Sequence, residues 1–78
     1  MSATEIKLVE IFRVVLDVDD DFDVSSLRRL DEPRWDSLAH ISLVVSIEAE
    51  FGIKLAISDI NQINSFRAAL LLVEARAV

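Results

Sequence analysis

The chain has 78 residues, 53% of them apolar, and its 14 acidic and 8 basic side chains leave a net charge of −6. A chain of this length forms one domain, expected over residues 1–78, and needs a dense apolar core because small folds bury little of their surface. The acidic balance argues against a nucleic-acid partner, since phosphate backbones are bound by basic faces. The absence of cysteine excludes disulfides, a cysteine-ligated zinc site and a thiol of the chain's own.

Nothing in the apolar pattern indicates a membrane segment or a targeting signal. Residues 1–8 lack the basic-then-apolar order of a signal peptide. Near the end of the chain the longest apolar run, 68–73, has six residues, far short of the roughly 20 that span a bilayer. We therefore expect a cytoplasmic protein without a membrane span, acting as a monomer.

The spacing of the apolar residues predicts an all-α fold, a small bundle of three main helices plus one short helix. The first helix is expected over 4–16, with Thr4 as its N-cap and Ser2 as the alternative. Five aspartates within residues 17–23 repel one another and end this helix. A long loop follows, to about Trp35.

This loop is expected to reach the core through one short turn that carries Leu27 and Leu30. Pro33 disfavours helical angles in the residue before it, so the chain should be extended ahead of the second helix. The aspartates do not form an EF-hand, because in registers starting at Asp17 or Asp19 other residues occupy the glycine and glutamate positions. We interpret the segment as a solvated acidic loop with loose affinity for cations.

The second helix is expected to begin at Asp36 or Ser37, with Asp36 as its N-cap. It should end at Phe51, because Gly52 suits the left-handed residue that follows a helix. Residues 53–57 are expected to connect it to the next helix.

Two further helices complete the predicted bundle. Ser58 is expected to cap a short third helix over 59–63. Asn64 or Ser65 should cap the fourth helix, which ends near Ala75.

Asp36, Ser37 and His40 include the three residue types of a hydrolytic triad. A triad requires the histidine to bond the serine and the aspartate on opposite ring nitrogens. Here the aspartate and the serine are adjacent at a helix start, and no glycine-rich turn is present to form an oxyanion hole. A small hydrolase is therefore the weakest interpretation, and we predict no catalytic residue and no metal site.

The second helix is apolar on two sides when it is projected at 100° per residue. One stripe is expected to face the core: Leu43, Val44, Ile47 and Phe51. The other is expected to be a docking surface: Leu38, Ile41 and Val45. Such a short chain can hardly bury a helix on every side. The alternative is that the loop of residues 17–35 folds over the second stripe.

The segment Trp35-Asp-Ser-Leu38, followed by Ile41, Leu43, Ile47 and a Glu-Phe pair at 50–51, resembles the acyl carrier protein family. The signature of that family is Asp-Ser-Leu at the start of its second helix. The resemblance extends over nearly the whole chain, including the order of the helices and the long loop. It implies a carrier protein with the family's helical fold and no enzyme activity of its own.

The resemblance also implies a role for Ser37. In that family this serine receives phosphopantetheine from coenzyme A through a phosphopantetheinyl transferase, and Asp36 and Leu38 complete the motif. The terminal thiol of the arm then holds acyl groups as thioesters for acyl-loading and acyl-transfer enzymes. A helix N-terminus favours the negative charge of the phosphodiester, and a chain without cysteine is consistent with an imported thiol.

Two further sets of residues follow from the resemblance. The set expected to dock partners is Trp35, Leu38, Ile41, Val45 and Glu48. The set expected to line an acyl pocket or its rim is His40, Ile47, Phe51, Ile60, Ile63 and Phe66. Two of these residues have a structural alternative. Trp35 could instead pack on Leu30 and Pro33. His40 could be a hydrogen-bonded histidine at the rim between the second and third helices.

The chain also departs from the family pattern. The family commonly has glycine shortly before the motif, and residues 30–35 contain none. Residues 37–78 hold 4 acidic and 3 basic side chains, a net −1, so docking should depend little on charge. We therefore expect a specialised stand-alone carrier of a fatty-acid, lipid or secondary-metabolite pathway. An aminoacyl or peptidyl carrier and an unmodified helical interaction module remain as alternatives.

Overall fold

A computed structural model describes residues 2–76. Its four α-helices are α1 (Ala3–Leu16), α2 (Ser37–Phe51), α3 (Ile57–Gln62) and α4 (Phe66–Arg76). Two short 3₁₀ turns, Val24–Ser26 and Arg29–Asp31, lie between α1 and α2. The predicted all-α bundle of three main helices and one short helix is confirmed.

α1 begins one residue earlier than predicted, and its cap is Ser2, the predicted alternative to Thr4. The hydroxyl of Ser2 accepts a hydrogen bond from the backbone N–H of Glu5 at 3.1 Å, which satisfies one of the free donors of the first turn. The helix ends at Leu16, and the next residue, Asp17, has a left-handed φ of 55° and bonds the carbonyl of Arg13 through its N–H. The Arg13 guanidinium then reaches the carbonyls of Asp19 and Phe22, which folds the acidic loop around the end of the helix.

The long loop is anchored to the segment that precedes α4. The N–H of Arg29 bonds the carbonyl of Asn64 at 2.9 Å, and the N–H of Phe66 bonds the carbonyl of Leu27 at 3.0 Å. This pairing directs Leu27 into the core. The prediction that Leu30 also enters the core is wrong: its side chain is 91% exposed, because it lies in a second 3₁₀ turn rather than in one turn shared with Leu27.

The predicted limits of α2 agree with the structure. The carboxylate of Asp36 accepts the N–H of Ala39 at 2.8 Å, so Asp36 is the N-cap and Ser37 is the first helical residue. Gly52 ends the helix with a φ of 64° and bonds the carbonyl of Glu48 through its N–H. Residues without a Cβ adopt this conformation at little cost, which is why glycine suits the position.

α3 begins two residues earlier than predicted, and Ser58 is not its cap. The carboxylate of Asp59 reaches back to the N–H of Ala56 at 3.1 Å and thereby starts the helix at Ile57. The start of α4 follows one of the two predicted options, since the hydroxyl of Ser65 accepts the N–H of Ala68 at 3.0 Å.

The core lies where α1 packs against α2 and α4. It is built around Phe12, whose ring meets Trp35 edge-on at a centroid distance of 5.3 Å and Phe66 at 5.2 Å. α3 lies mainly against α4, and the guanidinium of Arg76 bonds the carboxylate of Asp59 there at 2.8 Å. Within residues 2–76 no helix has the length and apolar character needed to cross a membrane.

Candidate functional site

Ser37 is the first residue of α2, at the helix start that the sequence predicts, and it is exposed. The Asp36 cap already satisfies Ala39, so the serine is not needed to hold the helix start. The first turn of a helix directs N–H groups without intrahelical partners, and the positive end of the helix dipole, toward this position. The result is an exposed hydroxyl in surroundings that favour a negatively charged substituent.

Behind this serine, Trp35 and His40 are both buried, at 2% and 8% exposure. The indole N–H of Trp35 donates to Nδ1 of His40 at 3.0 Å, and the two rings stack with centroids 6.1 Å apart. On its other side, Nε2 of His40 donates to the carbonyl of Ile60 in α3 at 3.0 Å. Because an indole N–H can only donate, Nδ1 must be the acceptor and the ring proton lies on Nε2.

This arrangement corrects the expectations for Trp35. Its side chain packs on Phe12 and His40 inside the core, not on the exposed Leu30, and it is not on the surface predicted for docking. A large aromatic side chain next to the Asp-Ser-Leu motif is as compatible with a buried anchor as with a surface contact, and only its neighbours decide between them. His40 is a buried, hydrogen-bonded residue between α2 and α3.

The second apolar stripe of α2 is open to solvent. Leu38, Ile41 and Val45 are 74%, 60% and 59% exposed, so the loop after α1 does not cover them. Glu48, the acidic residue expected beside this stripe, is half-buried, and its carboxylate accepts the N–H of Leu55 at 2.8 Å. It therefore stabilises the connection between α2 and α3.

The residues expected to line an acyl pocket differ in their burial. Ile47, Ile63 and Phe66 lie within the packed core at 0–2% exposure, whereas Phe51 and Ile60 are half-buried. Two surface depressions, of about 410 and 110 Å³, lie elsewhere, along the loop between α1 and α2 and the start of α4. None of the six residues expected at the pocket lines either depression.

A buried acidic residue that the sequence analysis missed stabilises the turn before the site. The carboxylate of Glu32 accepts both the backbone N–H of Arg34, at 2.9 Å, and its guanidinium, at 3.0 Å. These bonds hold the pKa of Glu32 below its usual value, the backbone bond contributing most. The Glu32 carbonyl also accepts the N–H of Trp35. The only sign of this arrangement in the sequence is that an acidic residue, Glu32, and a basic residue, Arg34, lie on either side of Pro33.

Comparison with known proteins identifies the class of this fold and site. Residues 7–73 match the family model described as a phosphopantetheine attachment site. The structure is similar to the solution NMR structure of the holo acyl carrier protein from Geobacter metallireducens, with 31% sequence identity and a TM-score of 0.80. The alignment covers 96% of this chain and 86% of that one. No curated protein matches the chain.

The fold and the start of α2 thus define a carrier domain, a protein class that is not itself catalytic. The chain belongs to the phosphopantetheine attachment family of acyl-carrier-like proteins, and its cofactor is covalently attached phosphopantetheine. The residues at the start of α2 fit this group, because they combine an exposed hydroxyl with a helix end that favours a phosphodiester.

Proposed function

We propose that this protein carries acyl groups as thioesters on a phosphopantetheine arm attached to Ser37. The observation that supports this assignment is the placement of Ser37, an exposed hydroxyl at the first residue of α2, with the buried Trp35 two residues before it and the buried His40 three residues after it. A modifying enzyme can reach such a hydroxyl without unfolding any part of the bundle.

The other serines are less suited to modification. The hydroxyls of Ser2 and Ser65 cap helices, and those of Ser25 and Ser26 bond the side chain and the carbonyl of Asp23. Two more, Ser42 and Ser46, are half-buried within α2. Only Ser58, exposed in the first turn of α3, resembles Ser37 in its surroundings, and it lacks the Asp-Ser-Leu context.

The chain supplies the attachment point and the cofactor supplies the thiol that bears the acyl group. The chain has no cysteine, so its own side chains offer no alternative site for a thioester. Asp36 holds the first turn of α2 in place through Ala39. The helix end then stabilises the phosphodiester electrostatically, an effect of about 0.3–1 kcal/mol for an exposed charge.

The apolar docking surface of Leu38, Ile41 and Val45 begins one residue after Ser37. We propose that the phosphopantetheinyl transferase and the acyl-loading and acyl-transfer enzymes bind here. Because residues 37–78 carry a net charge of only −1, burial of these side chains should supply most of the affinity, at roughly 1.5–3 kcal/mol for each one fully buried.

We further propose that the protein serves a specialised fatty-acid, lipid or secondary-metabolite pathway. Two observations support this: the absence of glycine between residues 30 and 36 and an α2 surface that is apolar rather than acidic. The rate at which loading enzymes transfer an acyl or an aminoacyl group to the holo protein tests the alternative of an aminoacyl or peptidyl carrier.

Coexpression with a broad-specificity phosphopantetheinyl transferase tests the attachment site. Intact-mass spectrometry should show the addition of one phosphopantetheine, and peptide mapping should locate it on Ser37. Ser37→Ala should stay unmodified, whereas the matched variant Ser58→Ala should be modified like the parent. A folded wild-type protein that is never modified would contradict the carrier function and favour an unmodified interaction module.

A further inference from the structure

The residues on either side of the Asp-Ser-Leu motif are bonded to each other beneath it. Trp35 lies two residues before Ser37 and His40 three residues after it, and their rings share a hydrogen bond of 3.0 Å. His40 then bonds the carbonyl of Ile60, 20 residues further along the chain, at 3.0 Å. We call this series of Trp35, His40 and the Ile60 carbonyl the indole–imidazole clamp.

The clamp acts on the part of α2 that is least restrained by the helix itself. The first N–H groups of a helix have no intrahelical partners, so its first turn depends on capping groups for its position. Here one bond from Ala39 to the Asp36 side chain and one from the N–H of His40 to the Asp36 carbonyl, at 2.9 Å, close that turn. The clamp adds a buried hydrogen bond between Trp35, which precedes Ser37, and His40, which follows it.

The same clamp fixes α3. This helix has only six residues and packs mainly on α4. Its polar connections to the rest of the bundle include the ion pair of Asp59 with Arg76 and the bond from Ile60 to His40. The second of these holds α3 next to the first turn of α2, because His40 lies in that turn.

We propose that His40 is a positioning residue for the reactions at Ser37. It holds the serine-bearing turn at a fixed place relative to α3, so that a partner enzyme meets one arrangement of the hydroxyl and its surroundings. Fixing a reacting group before the encounter lowers the entropy lost in reaching the productive geometry. This inference rests on the attachment of phosphopantetheine to Ser37 proposed above.

The test compares the loading of four apo proteins by a phosphopantetheinyl transferase with coenzyme A, following intact mass to obtain kcat and KM. The variants are His40→Ala, His40→Gln and Val44→Ala. Val44 lies one helical turn after His40 and has the same 8% exposure, so Val44→Ala removes packing beside the clamp but none of its hydrogen-bonding groups. Glutamine retains one acceptor and one donor and is the conservative variant.

A second readout does not depend on loading. It is the rate at which the indole N–H of Trp35, the only tryptophan, exchanges with deuterium, measured by NMR. In His40→Ala we expect faster exchange and a loss of about tenfold in kcat/KM, because the turn that bears Ser37 is no longer held in one position. His40→Gln should recover a large part of both. Val44→Ala should lose thermal stability yet keep slow exchange and the loading rate of the wild type.

Equal losses of loading in His40→Ala and Val44→Ala would overturn the inference, because His40 would then act only through stability. Wild-type loading rates in a His40→Ala protein whose indole exchanges rapidly would overturn it as well. If His40→Ala does not fold, Trp35→Phe removes the donor of the same hydrogen bond. Wild-type loading rates in Trp35→Phe would then overturn the inference. Failure of the wild type to load at Ser37 would instead overturn the proposed function and this inference together.

Discussion

At the scale of single residues, the site combines an exposed group with buried neighbours. Ser37 is exposed, whereas Trp35 and His40 on either side are almost fully buried. The cap of the helix is the adjacent Asp36 rather than the serine itself. Asp36 therefore holds the start of α2 and Ser37 offers the hydroxyl, so substitutions at the two residues can separate these roles.

Asp36→Ala and Ser37→Ala should differ in both stability and loading. Removing the cap leaves the N–H of Ala39 without its acceptor and should cost about 0.5–2 kcal/mol of unfolding free energy. Ser37→Ala removes an exposed side chain and should change that free energy by about 0.5 kcal/mol or less. Urea unfolding checks the first difference, and intact mass after treatment with the transferase checks the second.

We expect Asp36→Ala to load slowly and Ser37→Ala not to load at all. An Asp36→Asn variant is the control, because its amide oxygen can still cap the helix. Modification that persists in Ser37→Ala would show that the attachment site lies elsewhere.

At the scale of secondary-structure elements, α2 has two apolar faces with different surroundings. Ile47 is 0% exposed in the core, and Ile41 on the other face is 60% exposed. Ile47→Ala should cost about 2–5 kcal/mol through the cavity it leaves. Ile41→Ala should leave the melting temperature nearly unchanged and slow loading of Ser37, because the lost apolar area matters only against a partner.

Thermal melts and loading rates of the two isoleucine variants provide the comparison. Higher salt should weaken docking only modestly, because residues 37–78 carry a net charge of only −1 and few ion pairs with a partner can be screened. If Ile41→Ala destabilises the protein as strongly as Ile47→Ala, the exposed stripe of α2 belongs to the core and the docking proposal fails.

The connection between α2 and α3 depends on Glu48. Its carboxylate accepts the N–H of Leu55, which is a buried residue. Glu48→Ala leaves that N–H without its acceptor and should cost about 1–3 kcal/mol of stability. Glu50, which is exposed one residue before the end of α2, is the matched control, and Glu50→Ala should be nearly neutral.

Denaturant unfolding of both glutamate variants measures these costs. A Glu48→Ala protein that is as stable as Glu50→Ala but docks its transferase poorly would assign Glu48 to partner binding instead of to the loop.

At the scale of the whole molecule, the buried carboxylate of Asp59 joins segments that are distant in the chain. Asp59 accepts hydrogen bonds from the Arg76 guanidinium and from the N–H of Ala56. Both bonds hold its pKa below its usual value of 3.8, with the Arg76 bond contributing most. Asp59 thereby connects α3 to the last residue of α4.

The lowered pKa of Asp59 predicts how acid affects stability. A carboxyl whose pKa is lower in the folded state stabilises the fold while it is ionised. Its contribution should be complete above the ordinary value of 3.8 and should be lost as the pH falls through the lowered folded pKa. Asp59→Asn should therefore lose less stability than the wild type between about pH 4 and pH 2.

Urea unfolding over this pH range provides the measurement. Arg76→Gln should remove much of the same pH-dependent part, and the double variant should remove little more, because the two side chains form one pair. Parallel acid profiles for wild type and Asp59→Asn would show that the pair does not contribute to the pH dependence of folding.

The sequence by itself determined the features of α2 that depend on neighbours within one helical turn, whereas at α1 and α3 several polar residues could serve as the cap and the predicted starts were one and two residues late. The limits of α2 followed from Asp36 and Gly52, because capping uses groups three or four residues apart. The family and the candidate serine followed from the short motif at the start of that helix. The exposed stripe of α2 followed from its helical period, because a small bundle has too few elements to cover two faces.

The tertiary structure alone decided the surroundings of these features. Whether Trp35 contacts a partner or the core depends on Phe12 and on His40, and the bond of His40 to Ile60 joins residues 20 apart. Likewise the place of α3 in the bundle depends on the ion pair of Asp59 with Arg76, 17 residues away. Local preference carries no information on such distant partners, so the order of helices was predictable and the clamp behind Ser37 was not.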